Sequence, residues 1–233
     1  MRNSTKKLIF ILILLAVFAA LGSRIFENNK SSTISIEALS QEIPVYSDKI
    51  AIELNGNKPL FTKDEITLKA YEKYSDLDIF GRTQVAQACL SKELMPTEHR
   101  EYTPYIRPTG WHTEKYPGLV EDDYLYNRCH LIAYTLTGEN GEERDLITGT
   151  RYFNVEGMLP YEIKVSDYIR KTNNHVMYRV TPVYEGNDLL AKGVLMEAFS
   201  VEDNGYGVEF CVFVYNIQPG IEIDYATGDS WRK

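Results

Sequence analysis

The chain reads as an α+β domain, an antiparallel β-sheet with flanking helices, on two observations. Three runs of alternating character, His175 to Tyr184, Leu189 to Val201 and Val208 to Ile217, are joined by Glu185-Gly186-Asn187-Asp188 and Glu202-Asp203-Asn204-Gly205. Turn residues between short alternating runs make antiparallel hairpins, so the three runs predict a meander. Ahead of them, Met158, Tyr161, Val165, Tyr168 and Ile169 recur at steps of three, four and seven, which is one apolar face of a helix over 154–172. A helix followed by consecutive hairpin strands is the α+β pattern.

Taken in order, residues 1–26 read as a signal peptide or an N-terminal membrane anchor. Arg2, Lys6 and Lys7 precede an uncharged run from Leu8 to Gly22, fifteen residues long, against the roughly 20 apolar residues of a membrane span. Ala20-Leu21-Gly22 supplies small residues of the kind found at a cleavage site. Either leader puts the rest of the chain outside the cell, secreted or held to the outer face of the membrane. The polar stretch 27–42 reads as a linker, and 43–233 as one domain, a size that buries a full core.

Within that domain, Lys49 to Leu54 alternates into Asn55-Gly56-Asn57, a strand and a turn. Phe61 begins a hairpin return or a short helix, since Thr62 and Glu65 have capping-box spacing. The region 76–116 is rich in turn residues and carries no clear periodicity. Tyr124 to Tyr134 reads as strand then loop. Pro160 fits the first turn of a helix starting near Leu159, which leaves Asn154 just before it. The 17 tyrosines suit a sheet with one half-solvated face.

The net charge is −8, and −11 once Arg2, Lys6 and Lys7 ahead of the apolar run are taken away. That argues against a protein that coats nucleic acid, whose affinity needs many Lys and Arg, but leaves room for an enzyme with a local basic cleft. The three cysteines, Cys89, Cys129 and Cys211, form no CxxC, which excludes a thiolate zinc site or a disulfide scaffold. One bridge remains open to them, with no pair favoured.

The stretch richest in chemistry is Tyr126-Asn127-Arg128-Cys129-His130-Leu131-Ile132, followed by Arg144 to Asn154. An imidazole at 130 suits proton removal from water, and an amide oxygen at 154 suits a hard cation. Arginines at 128, 144 and 151 could face phosphate, for which the planar guanidinium is well shaped. Mg²⁺ takes oxygen ligands and keeps several waters, so a single Asn with few other protein ligands suffices. A histidine near its ordinary pKa of about 6.5 is a competent base at neutral pH.

These residues resemble the DRGH-type signature of the DNA/RNA non-specific endonucleases, the ββα-metal or His-Me finger nucleases. The resemblance covers about half the chain and implies the following roles. His130 matches the general base, and Asn154 the ligand of a single Mg²⁺, with Mn²⁺ as an alternative. Arg128 matches an arginine that contacts phosphate. Glu162 matches a carboxylate that orients water at the metal, and Asp145 stands where relatives carry an asparagine that positions the site. Asn127, Asp145 and Arg151 are expected on the substrate side. The implied partners are DNA and RNA, gripped through the phosphate backbone, with no nucleotide cofactor and with the leader as a membrane tether.

The signature departs from its pattern in Asn127 for Asp and Cys129 for Gly, and no arginine stands one turn after Glu162, where Ser166 is found. A Cβ at 129 excludes a backbone conformation that only glycine takes easily. Two other readings stay open: an inactive extracellular binding or adhesion module on the same fold, and a hydrolase using Cys129 or Cys211. Arg144 and Arg151 also fit surface ion pairs, and His99, His112 and His175 fit structural positions.

Overall fold

The computed structural model describes residues 35–98 and 105–233. The leader, residues 27–34 of the expected linker and His99 lie outside the described residues. Ile36–Lys233 forms one compact unit. It opens with α1 (Ile36–Gln41), whose Leu39 is fully buried, so ordered packing begins ahead of the expected start at 43. Among the described residues no helix is long and apolar enough to cross a membrane.

Six strands make the main sheet: β1 (Ala51–Glu53), β2 (Tyr71–Tyr74), β3 (Ala86–Leu90), β6 (Val176–Val183), β7 (Gly193–Ser200) and β8 (Glu209–Tyr215). Their order is β1-β8-β7-β6-β3-β2, antiparallel throughout. The expected meander is β6-β7-β8, in register from Val176 opposite Ser200 to Gly193 opposite Tyr215. The Asn55–Asn57 turn is present, but β1 pairs with β8 and no hairpin return follows. The Thr62 amide and hydroxyl both donate to Glu65 Oε2, and the Glu65 amide donates to the Thr62 carbonyl, a closed turn without a helix behind it.

The meander is buried on both faces, contrary to the half-solvated sheet that the tyrosines suggest. On one face Arg179 and Glu197, both buried, form a two-pronged ion pair at 2.7 and 3.1 Å. The segment around Phe61 covers it: the guanidinium lies 4.6 Å over the Phe61 ring and bonds Glu65, and the Leu60 amide donates to Glu197. A buried pair keeps its charge only when its remaining hydrogen-bonding capacity is met in this way.

The other face carries the main core, where Tyr178, Val180, Met196, Val212 and Val214 pack with residues of the hairpin and helix described next. Strands β4 (Tyr126–His130) and β5 (Leu146–Thr150) form a separate hairpin, joined through α2 (Tyr134–Thr137). It runs straight into α3 (Leu159–Thr172), whose Met158, Val165 and Ile169 side of the helical run is buried as expected. A small hairpin, β9 (Ile221–Ile223) with β10 (Ser230–Arg232), closes the chain.

The helix begins earlier than expected. Thr150 Oγ1 accepts the Phe153 amide at 3.0 Å, an N-cap bond, and helical residues start at Arg151. Phe153–Met158 is a π-helical stretch in which the Leu159 amide donates to the Asn154 carbonyl, five residues back. Asn154 therefore lies inside a continuous helix, and Pro160 follows a π-turn rather than opening the first turn. Proline lacks the amide that an unbroken α-helix would use there, and the wider turn relieves that loss.

Candidate active site

Three consecutive residues after β8, Asn216, Ile217 and Gln218, fix where the hairpin meets the helix. Asn216, fully buried, accepts the Thr150 amide at 2.9 Å and donates to the carbonyls of Thr148 and Ala191. Thr150 Oγ1 donates to the Ile217 carbonyl, and Gln218 accepts the Tyr152 amide. The junction of β5 and the helix is thus tied to the rigid sheet.

On the hairpin, His130 pairs with Leu146 and Arg128 with Thr148. Strand alternation puts Arg128 and His130 on one side and Asn127 and Cys129 on the other. Cys129 is fully buried and has no positive φ, so this position needs no glycine conformation. The Arg128 guanidinium lies 4.1 Å over the Trp111 ring, and its Nε donates to the Ile106 carbonyl. Trp111 is remote in sequence, and nothing in the signature points to it.

His130 is 7% exposed, at the end of its strand. The next two amides go to Asp145: Leu131 to its carbonyl at 2.8 Å and Ile132 to its Oδ1 at 2.9 Å. Asp145 is fully buried, so the expectation that it touches substrate is corrected: it has no surface to offer. Burial pushes its carboxyl well above the usual range, and Glu72, Glu139 and Glu162 add to the rise. Glu162 is 8% exposed, and burial pushes its carboxyl up to about 8. The Tyr178 hydroxyl, also buried, feels both acids. The strand end carrying His130, Asp145 and Glu162 thus converge over the sheet.

Asn154 lies eight residues before Glu162. On a regular helix that spacing turns the two side chains apart, whereas a π-turn takes in about one extra residue. The separation then behaves as i to i+7, which shares a face. The Asn154 side chain is half-buried and takes no hydrogen bond from the described residues, so its amide oxygen is available to a cation. No group of three or more His, Cys, Asp or Glu side chains is arranged for a metal among the described residues. One amide oxygen with a nearby carboxyl suits a cation that keeps most of its water, as Mg²⁺ does.

Other candidates are engaged elsewhere. Arg151 Nη2 lies 3.2 Å from both Glu121 and Asp122, which offset its charge where substrate contact was expected. Arg144 bonds Glu142 twice. His112 meets the Thr227 carbonyl, and His175 pairs with Glu202. The three cysteines are unbridged and buried, with Cys89 pushed up to about 11 and Cys211 to about 12 by burial. A thiolate nucleophile needs the opposite environment.

A hairpin ending in histidine and leading into a helix that bears Asn and Glu defines a nuclease fold of the ββα-metal type. A sequence profile of the DNA/RNA non-specific endonucleases matches residues 62–202, more than half of the 233, and the chain belongs to that family. The structure of NucA from Streptococcus agalactiae with magnesium bound is similar at a TM-score of 0.71 and 26% identity, covering 87% of this chain and 100% of that one. That of Sda1 nuclease with bound zinc has a TM-score of 0.60 and 28% identity, over 70% of this chain and 82% of that one. A deoxyribonuclease of Streptococcus dysgalactiae subsp. equisimilis is 34% identical over 116 residues, 48% of this chain. The match spans 34% of that relative's length.

Proposed function

We propose that this protein is a secreted, metal-dependent endonuclease that hydrolyses phosphodiester bonds of DNA, and of RNA, without sequence preference. The observation that supports the reading is the family profile over residues 62–202, together with Asp145 holding the two amides after His130 and feeling the Glu162 carboxyl. The magnesium and zinc in the two nuclease structures support a metal-dependent reaction. The charged leader with its short apolar run supports export, and 43–233 is the catalytic domain.

His130 holds a ring nitrogen ready to take the proton of the attacking water as the new P–O bond forms. Arg128, braced by Trp111 and the Ile106 carbonyl, presents positive charge to the phosphate. Asn154 would hold Mg²⁺, and Mn²⁺ as an alternative, and Glu162 orients water beside it. Bound there, the cation supplies offset for the negative charge on the phosphate and on the leaving oxygen. Backbone contacts without a groove-reading element make cleavage indifferent to sequence.

The test is incubation of the purified protein with plasmid DNA, and separately RNA, with Mg²⁺ and with chelator. Chelator-sensitive degradation that His130→Ala abolishes in a folded protein is expected. Full activity in that variant would remove His130 as the base, and binding without cleavage by the wild type would favour an inactive binding module.

A further inference from the structure

We propose that Asp145 positions His130 by holding the two amides that follow it, and that it does so as the uncharged acid. The proposal rests on His130 being the base of the reaction proposed above.

The β4–β5 ladder ends with His130 opposite Leu146. Beyond that pair the strand would fray, yet the next two amides stay held, Leu131 by the Asp145 carbonyl and Ile132 by Oδ1. One residue therefore fixes the backbone exit of the catalytic imidazole through two separate atoms. The second carboxyl oxygen, Oδ2, is buried and has no hydrogen-bond partner among the described residues.

The surroundings oppose a negative charge. Glu72 and Tyr74 face Asp145 from β2, Glu139 from the loop after α2, Glu162 from α3 and Tyr178 from β6. His130 sits on β4 itself, and the adjacent Arg144 turns away to Glu142 and Asp76. A carboxylate with one side-chain amide contact in such a place costs far more than the neutral acid. The rise in its pKa through burial points the same way. As the acid, Oδ1 still accepts from Ile132, and the orphaned Oδ2 carries a proton instead of a buried negative charge.

Ionisation would set a charge against three glutamates and draw water beneath the strand end, displacing His130. Turnover therefore falls at alkaline pH for a reason seated in Asp145. An amide is the fixed neutral counterpart of a protonated carboxyl, so Asp145→Asn keeps the grip and removes the titration.

The experiment compares wild type, Asp145→Asn and Asp145→Ala on a labelled DNA duplex with Mg²⁺ across pH, alongside amide exchange at Leu131 and Ile132 and a carboxyl carbon NMR titration of Asp145. Asp145→Ala is expected to lower kcat about 10- to 100-fold with KM little changed, and to expose the two amides. Asp145→Asn restores most of the rate and holds it to higher pH than the wild type. An Asn variant as poor as the Ala variant, or one with the wild-type alkaline fall, would overturn the proposal. So would a carboxyl that titrates like an ordinary surface aspartate. Should Asp145→Ala not fold, the Asn variant and the titration decide. Should the wild type cut no nucleic acid, the proposed function fails, while the titration and amide protection still judge this inference.

Discussion

Gly149 and Cys129 approach each other so closely within the β4–β5 hairpin that a Cβ on Gly149 would stand 2.6 Å from Cys129 Sγ. The thiol at the third signature position, where the family pattern has glycine, is accommodated by a glycine on the neighbouring strand. Gly149→Ala would meet Phe153 at 2.6 Å as well. Overpacking of this kind costs about 1–3 kcal/mol. Denaturant unfolding should show that loss, and show it reduced in the Cys129→Gly background, because one of the two obstructions is then gone.

Glu162 should make the metal-free protein less stable as pH rises. Its acid is held at about 8 in the folded state against an ordinary value of 4.5. Below the unfolded value both states keep the proton and stability is full. Between the two values only the folded state keeps it, so stability falls as pH climbs through about 8 and then levels. The slope approaches about 1.4 kcal/mol per pH unit for one proton, and Asp145 adds to it in the same direction. Glu162→Gln should flatten the curve of Tm against pH in chelator by about one proton's worth. An unchanged slope would mean that Glu162 is ionised in the folded protein.

Asn154→Ala removes the one side-chain oxygen assigned to the cation. Metal titration of the cleavage rate should show both weaker half-saturation and lower turnover, while thermal unfolding in chelator stays close to the wild type. Unchanged half-saturation and rate would move the metal elsewhere.

Asn216→Leu strips the Thr150 amide and the carbonyls of Thr148 and Ala191 of their partner in a fully buried setting. Unsatisfied buried polar groups cost about 1–3 kcal/mol each, so a loss of about 3 kcal/mol or more is expected from chemical denaturation. Cleavage per folded molecule should fall too, because Asn216 ties the hairpin-helix junction to the sheet.

Thiol alkylation offers a separate check. All three cysteines are buried, so iodoacetamide should leave the native protein unmodified and its cleavage rate intact, while labelling three sites after denaturation. Loss of activity in step with labelling would revive a cysteine mechanism.

Much of this architecture was legible because periodicity survives in long elements. The meander and the apolar face of α3 follow directly from spacing. The short strands β2 and β3 did not stand out, since Ala86–Leu90 is buried nearly throughout and shows no alternation. Pro160 reads as a first-turn residue and so moves the expected helix start too late, although Thr150 holds the capping signal four residues before Asn154. His130, Asn154 and Glu162 stand out as site candidates through the family resemblance of their order in the sequence. The Trp111 platform under Arg128 and the burial of Asp145 depend on contacts that spacing does not encode.

The π-turn ahead of Pro160 gives the helix a built-in register shift. Removing a single residue between 155 and 157 would restore an ordinary spiral with the two side chains seven apart, still on one side, whereas closing the wide turn at full length would swing everything upstream by about 100° and carry the amide of Asn154 off the side that Glu162 occupies. A helix one residue shorter thus keeps the alignment, one of full length without the wide turn loses it, and variants of this segment should be scored by angle rather than by stability.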